Sequence, residues 1–199
     1  MIEKLRIVIS RMFVLLLAVV ILVSADSWDD IVPFVSQLLF SVGLVLVTVA
    51  VVGRLWCSLY IAGYKTDTLI TQGPYSVCRN PLYFFSLIGA VGVGLATETI
   101  LIPVVILIAF GAYYPFVIKS EEALLLKLHE SAFETYMQTV PRFFPNLNQL
   151  TEPLEYIVKP KIFRRHMFDA LWFIWIAGLL ELIEELHHLQ VLPTLFKIY

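Results

Sequence analysis

From Ile31 to Gly53 the chain runs for 23 residues without a charged side chain. As an α-helix rising 1.5 Å per residue, that stretch is about 35 Å long, enough to cross the roughly 30 Å of hydrocarbon in a bilayer. Backbone in hydrocarbon must satisfy its own hydrogen bonds, which leaves helices as the solution for an open chain. The segment Leu82 to Ile118 repeats the constraint. It holds one charge, Glu98, and is too long for one crossing and suited to two, with Thr97-Glu98-Thr99 at the tip of a helical hairpin. Gly89, Gly92 and Gly94 in the first arm of that hairpin permit close helix approach. Only 15% of all residues are charged, against about 25% in soluble domains.

The ends of the chain fit the same plan. Residues 1–25 begin with Lys4, Arg6 and Arg11 and then turn apolar. Val23-Ser24-Ala25 has the form of a leader-cleavage site. The apolar stretch nevertheless reaches back through Ile7, Val8 and Ile9, and Arg11 can snorkel, so a retained first helix is expected. Asp26, Asp29 and Asp30 form an acidic loop, and Arg54 and Trp56 close the second span at an interface. Lys119 to Tyr136 continues the hairpin's second arm as an amphipathic helix, stopped by Pro141 and Pro145. Residues 146–165 read as a basic linker. Met167 to Leu180 is apolar but about 21 Å long as a helix, which suits a re-entrant or interfacial path. The expected fold is all-α: a polytopic integral membrane helical bundle of four core spans plus a C-terminal hydrophobic helix. A core over 1–145 is followed by a linker and membrane-associated helix over 146–199.

Lys4, Arg6, Arg11, Arg54, Lys65, Arg79, Lys119, Lys127, Arg142 and the 159–165 cluster fall on one side of such a bundle, which is then cytoplasmic. A net charge of −2 with no long basic run gives no footprint for nucleic acid. Cys57 and Cys78 read as packing residues or free thiols, and no cysteine–histidine spacing of a metal site occurs. Glu185-x-x-His188 has the spacing of half a di-iron ligand set. Such sites need that motif from two helices, so a polar helix end or a lid beside the pocket is expected instead.

Two polar segments, 65–83 and 119–145, share the cytoplasmic side. They offer Asp67, Tyr75, Arg79, Asn80, Tyr83, Glu121, Glu122, Tyr136 and Arg142. Gly73-Pro74 and Asn80-Pro81 bend the first of them. Neither segment pairs a serine or cysteine with a histidine as nucleophile and base. Carboxylates here can hold an ammonium, while arginine, asparagine and backbone amides can hold a carboxylate. Tyrosine rings can line a cationic face. The set suits a zwitterion, and many zwitterions meet that description.

The run Asp67-Thr68-Leu69-Ile70-Thr71-x-Gly73-x-Tyr75-x-x-x-Arg79-Asn80-Pro81-x-Tyr83 resembles the cofactor motif of the isoprenylcysteine carboxyl methyltransferase family, with the same spacing. Glu121-Glu122-x-x-Leu125, followed by Tyr136-x-x-x-Val140-Pro141-Arg142, resembles that family's second block. The wider group includes phospholipid and small-thiol methyltransferases. The resemblance covers roughly 65–145 and implies S-adenosylmethionine as cofactor. It assigns cofactor contacts to Asp67, Thr68, Leu69, Ile70, Tyr75, Asn80, Pro81, Leu82, Tyr83 and Glu122, and Glu121 of the shared glutamate pair is expected beside them. From their charges, Glu122, Arg142 and Arg79 are expected to be the catalytic residues, with Glu122 on the donor's ammonium and Arg142 on an anionic group of donor or acceptor. Three departures stand out. The motif's histidines are Asp67 and Asn80 here. Val117 and Ile118 occupy the place of an arginine before the glutamate pair. Glu130 stands where a glycine is usual.

The implied reaction is in-line methyl transfer to a lipophilic or small acceptor: a prenylcysteine-like carboxylate, a lipid or a thiol. A lipid-like acceptor would enter from the bilayer and the cofactor from the cytoplasm. Two alternatives share the fold: an NADPH-dependent sterol-type reductase and a non-catalytic membrane subunit.

Overall fold

The computed structural model describes residues 2–28, 31–64 and 68–199, with side chains from residue 11 onward. Helix α1 (Ile2–Val23) leads into a short strand β1 (Ser24–Asp26). Then come α2 (Pro33–Ile61), a single turn α3 (Pro74–Val77), α4 (Pro81–Leu95) and α5 (Leu101–Thr139). A 3₁₀ turn at Leu147–Gln149 precedes α6 (Pro160–His188), and β2 (Phe196–Ile198) pairs in parallel with β1. The protein is an all-α membrane protein. Helices α2, α5 and α6 are long and apolar enough to cross a bilayer, and Arg11–Val23 and α4 are shorter apolar helices. Their outward side chains suit lipid: Leu15, Val45 and Ile108 are each more than three-fifths exposed.

The bundle has two ends. At one, which we call the site end, Gly73 N–H donates to the Thr151 carbonyl (2.8 Å) and Asn146 N–H to that of Val77 (2.9 Å). At the far end, Leu195 N–H donates to the Val23 carbonyl and Leu101 N–H to that of Tyr199. The connections that follow α2 and α5 therefore meet at the site end.

Helix α4 lies against α2 with backbones in contact. A Cβ on Gly43 would lie 2.6 Å from the Gly92 carbonyl oxygen, and one on Gly92 would lie 2.8 Å from that of Gly43. Helices in lipid associate largely by such close packing. Because the obstacle is backbone, Gly92→Val is expected to cost about 1–3 kcal/mol by forcing the helices apart. Thermal unfolding in detergent measures it, and a melting temperature unchanged from wild type would refute the seam. Helix α6 completes this core, with Ala170, Ala177 and Leu180 buried alongside Val47 and Val51.

Three sequence expectations need correction. Helix α2 does not end at Gly53 but runs on to Ile61, because Arg54 turns inward against Ser86 instead of anchoring at the interface. Helix α6 is 29 residues long, about 43 Å, since its basic start and acidic end extend the apolar middle into one helix. Asp26 is not in a solvated loop. It is 4% exposed within β1 and accepts a hydrogen bond from Ser36 Oγ at 2.7 Å; Asp29 and Asp30 lie outside the described residues. The β1–β2 pair, which ties the tail to the far end, had no signal in the apolar pattern.

Helix α5 breaks at Glu130, with φ 43° and ψ −121°. Side chains other than hydrogen rarely adopt this backbone conformation, at a cost of about 1–3 kcal/mol. The glutamate side chain is exposed. Glu130→Gly is therefore expected to stabilise the fold by about 1 kcal/mol. A melting temperature that falls would show that the break is not strained.

Candidate active site

The site is built where the two polar segments meet. Gly73 (φ 59°) starts the turn into α3, and a Cβ there would run into the Tyr60 ring. Ser76 Oγ donates back to the Gly73 carbonyl (2.7 Å) and accepts from Thr151 N–H (3.0 Å). This tightly wound piece delivers Arg79 and Asn80 to the mouth of α4, where Pro81 occupies the first turn and needs no N–H partner.

Glu122, projecting from α5, is 6% exposed and forms the centre of the cluster. Its Oε1 accepts from Arg79 Nε at 3.0 Å, with Asn80 Nδ2 at 3.4 Å. Its Oε2 accepts from Arg142 Nε at 2.9 Å and Nη2 at 2.5 Å. Arg79 also donates through Nη1 to the carbonyls of Met137 (2.7 Å) and Val140 (2.9 Å) at the end of α5. Asn80 Nδ2 donates to the Arg142 carbonyl at 2.9 Å. The two arginines differ. The Arg79 side chain is 10% exposed, whereas that of Arg142 is 55% exposed on its loop.

The other expected residues fall around this knot. Tyr83 hydroxyl donates to Glu121 Oε1 at 2.8 Å. Tyr75 is buried, and its carbonyl accepts from the Tyr136 hydroxyl at 2.6 Å. Ile70 and Leu82 pack on the apolar cluster of Cys57, Tyr60 and Tyr75. Thr68 is exposed and Leu69 half-buried. Asp67 lies outside the described residues. The fully buried Cys78 has its thiol pushed up to about 11 by burial, with an Asn80 backbone hydrogen bond and Arg79 opposing. It therefore stays a thiol at neutral pH and is no nucleophile.

An open groove of about 480 Å³ flanks the knot, with Tyr136 and Val140 in its wall. Its polar lining comes from Thr71, Ser76, Thr135, Thr139, Gln149 and Thr151, and it carries no charge. None of these was among the expected site residues. Thr135 and Thr139, four apart on one helix face, were the available signal.

Among the described residues, no three His, Cys, Asp or Glu side chains gather as metal ligands. The His188 ring lies 3.7 Å from Glu184, and the buried His187 lies 3.1 Å from the Leu22 carbonyl oxygen.

No solved structure matches this chain. Two relatives align over nearly all of it. The nickel-cobalt-cadmium resistance protein NccN of Alcaligenes xylosoxydans xylosoxydans is 39% identical over 189 residues, covering 95% of this chain and 87% of that protein. The cobalt-zinc-cadmium resistance protein CzcN of Cupriavidus metallidurans is 37% identical over 187 residues, covering 94% and 85%. The phospholipid methyltransferase family model matches residues 34–132, a stretch that contains Arg79, Asn80, Tyr83, Glu121 and Glu122. With its two blocks folded against each other and relatives matched over most of their length, the chain belongs to the phospholipid methyltransferase family.

Proposed function

We propose that this chain is a multi-pass membrane methyltransferase that uses S-adenosylmethionine, with the site end facing the cytoplasm. The observation that carries this reading is the buried Glu122 carboxylate held between Arg79 and Arg142. The donor set fits the amino-acid end of the cofactor, which has one ammonium and one carboxylate. Arg79 is fixed by two backbone carbonyls and stays in place. Arg142 is the exposed partner and is free to turn its guanidinium to a carboxylate. Glu122 Oε2 is then released to an ammonium. One internal ion pair is exchanged for two intermolecular ones, and no charge is left buried alone.

The uncharged hydroxyl-rich groove beside the knot suits a nucleoside. It suits the 2′-phosphate of NADPH poorly, since it offers no cation. When bound, the cofactor supplies an electrophilic methyl group on its sulfonium. The residues of this chain contribute positioning, the exclusion of water and a fixed counter-charge. Arg79, Lys119, Arg142 and the 159–165 basic cluster lie at the site end, which favours a cytoplasmic site. The acceptor class remains a lipophilic carboxylate, a lipid or a thiol. The relatives' names concern metal resistance. We take any such part played by this chain to run through a methylated membrane component.

Equilibrium binding of labelled S-adenosylmethionine and of NADPH to the purified protein tests the reading. Saturable binding of the first alone is expected. Binding of NADPH alone would move the chain to the reductases, and binding of neither would leave a non-catalytic subunit.

A further inference from the structure

Arg54 takes no part in the Glu122 knot. It sits seven residues before the end of α2, about 10 Å along the helix, and so lies deeper in the bundle. Its Nη1 donates to Ser86 Oγ, which itself donates to the Leu82 carbonyl at 2.6 Å. Its guanidinium lies over the Phe173 ring, 5.5 Å from the centroid. Its Nε is buried and has no hydrogen-bond partner. Asp169 and Tyr114 are within reach of its charge, but among the described residues Arg54 makes no ion pair.

An arginine at membrane depth costs about 2.5–3.5 kcal/mol on insertion scales, and such residues ordinarily find a partner there. A serine hydroxyl and a phenyl ring are weak compensation, and an orphaned buried donor adds a further penalty. The same region holds a second orphan. The Tyr75 hydroxyl is buried without a partner, and Tyr75 packs against Cys57, one turn along α2 from Arg54. Two donors without acceptors, one of them cationic, describe a place for an anionic oxygen. Helices α2, α4 and α6 meet there, next to the Tyr83–Tyr114 ring contact (centroids 5.2 Å apart) that leads to Glu121.

We propose that Arg54 and the Tyr75 hydroxyl receive the anionic group, a carboxylate or a phosphate, of a membrane-soluble amphiphile that serves as methyl acceptor. The acceptor role rests on the methyltransferase reading; the binding site does not. Arg54 is a specificity-determining residue on this account. It selects anionic acceptors by charge and by the forked geometry of its donors.

The test measures equilibrium binding in neutral maltoside micelles. The probes are labelled myristate for a free carboxylate, dimyristoyl phosphatidic acid for a lipid phosphate, and tetradecanol for an uncharged chain. Wild type is expected to bind at least one of the anions about tenfold more tightly than the alcohol. Whichever anion is preferred identifies the source. Arg54→Gln is expected to erase the preference and Arg54→Lys to retain most of it, both with unchanged S-adenosylmethionine affinity. Equal binding of anion and alcohol by wild type, or a preference surviving in Arg54→Gln, overturns the site. Tyr75→Phe removes an orphan hydroxyl without opening a cavity, so it folds even if Arg54→Gln does not. It is expected to lower the preference about threefold, and an unchanged preference overturns the shared site. An intact anion preference without S-adenosylmethionine binding overturns the acceptor role and the methyltransferase reading together.

Discussion

Replacing Glu122 with alanine is expected to cost about 3–5 kcal/mol of stability and to abolish binding of S-adenosylmethionine. The size follows from which charge is stranded. The Arg79 side chain is 10% exposed, and Glu122 is its ion-pair partner. Its remaining acceptors, the carbonyls of Met137 and Val140, are neutral. Removing the carboxylate leaves a guanidinium buried against dipoles alone. Arg142 is more than half exposed and can relax into water, so it adds little to the penalty. Glu122→Gln keeps the shape and removes the charge, turning an acceptor oxygen into an amide that points donors at donors. It should lose binding equally but lose less stability. Thermal unfolding and calorimetry on both variants check this. A Glu122→Ala protein that melts like wild type and still binds the cofactor would remove Glu122 from the centre of the site.

What was legible in the sequence follows from how local the signal is. The spans α2 and α5 show as long stretches with few or no charges, and the α4–α5 hairpin tip shows as one polar triplet. The break in α5 had a signal as well, because Glu130 stands where the pattern that the second block resembles usually has a glycine, and the backbone there has the φ that favours one. The meeting of Arg79 with Glu122 was expected only from two motif blocks recurring in order, since no local pattern says that residues 43 apart will touch. The burial of Asp26 and the pairing of β1 with β2 join residues some 170 positions apart through backbone hydrogen bonds, which leave no side-chain signature. The inward turn of Arg54 was hidden for a related reason. An arginine after an apolar run reads as an interface anchor unless its partner, here Ser86 on another helix, is known.

Arg142→Ala should separate binding from folding. The side chain is 55% exposed, and Glu122 keeps Arg79 as its counter-ion with Asn80 at longer range. Little stability is therefore at stake, about 1 kcal/mol or less, as for other solvent-accessible pairs. The loss in cofactor affinity should be far larger, about hundredfold, if Arg142 turns from Glu122 to hold the ligand's carboxylate in a charge-assisted pair. Arg142→Lys keeps the charge but not the fork of donors, and should recover only part of that affinity. The fixed arginine makes the contrast informative. Arg79→Ala removes a charge tied to three acceptors and should damage stability and affinity together. Calorimetry and thermal unfolding on the three variants decide the matter. If Arg142→Ala binds the cofactor as wild type does, Arg142 is only a lid over Glu122. The exchange of one internal ion pair for two ligand contacts would then have to be abandoned.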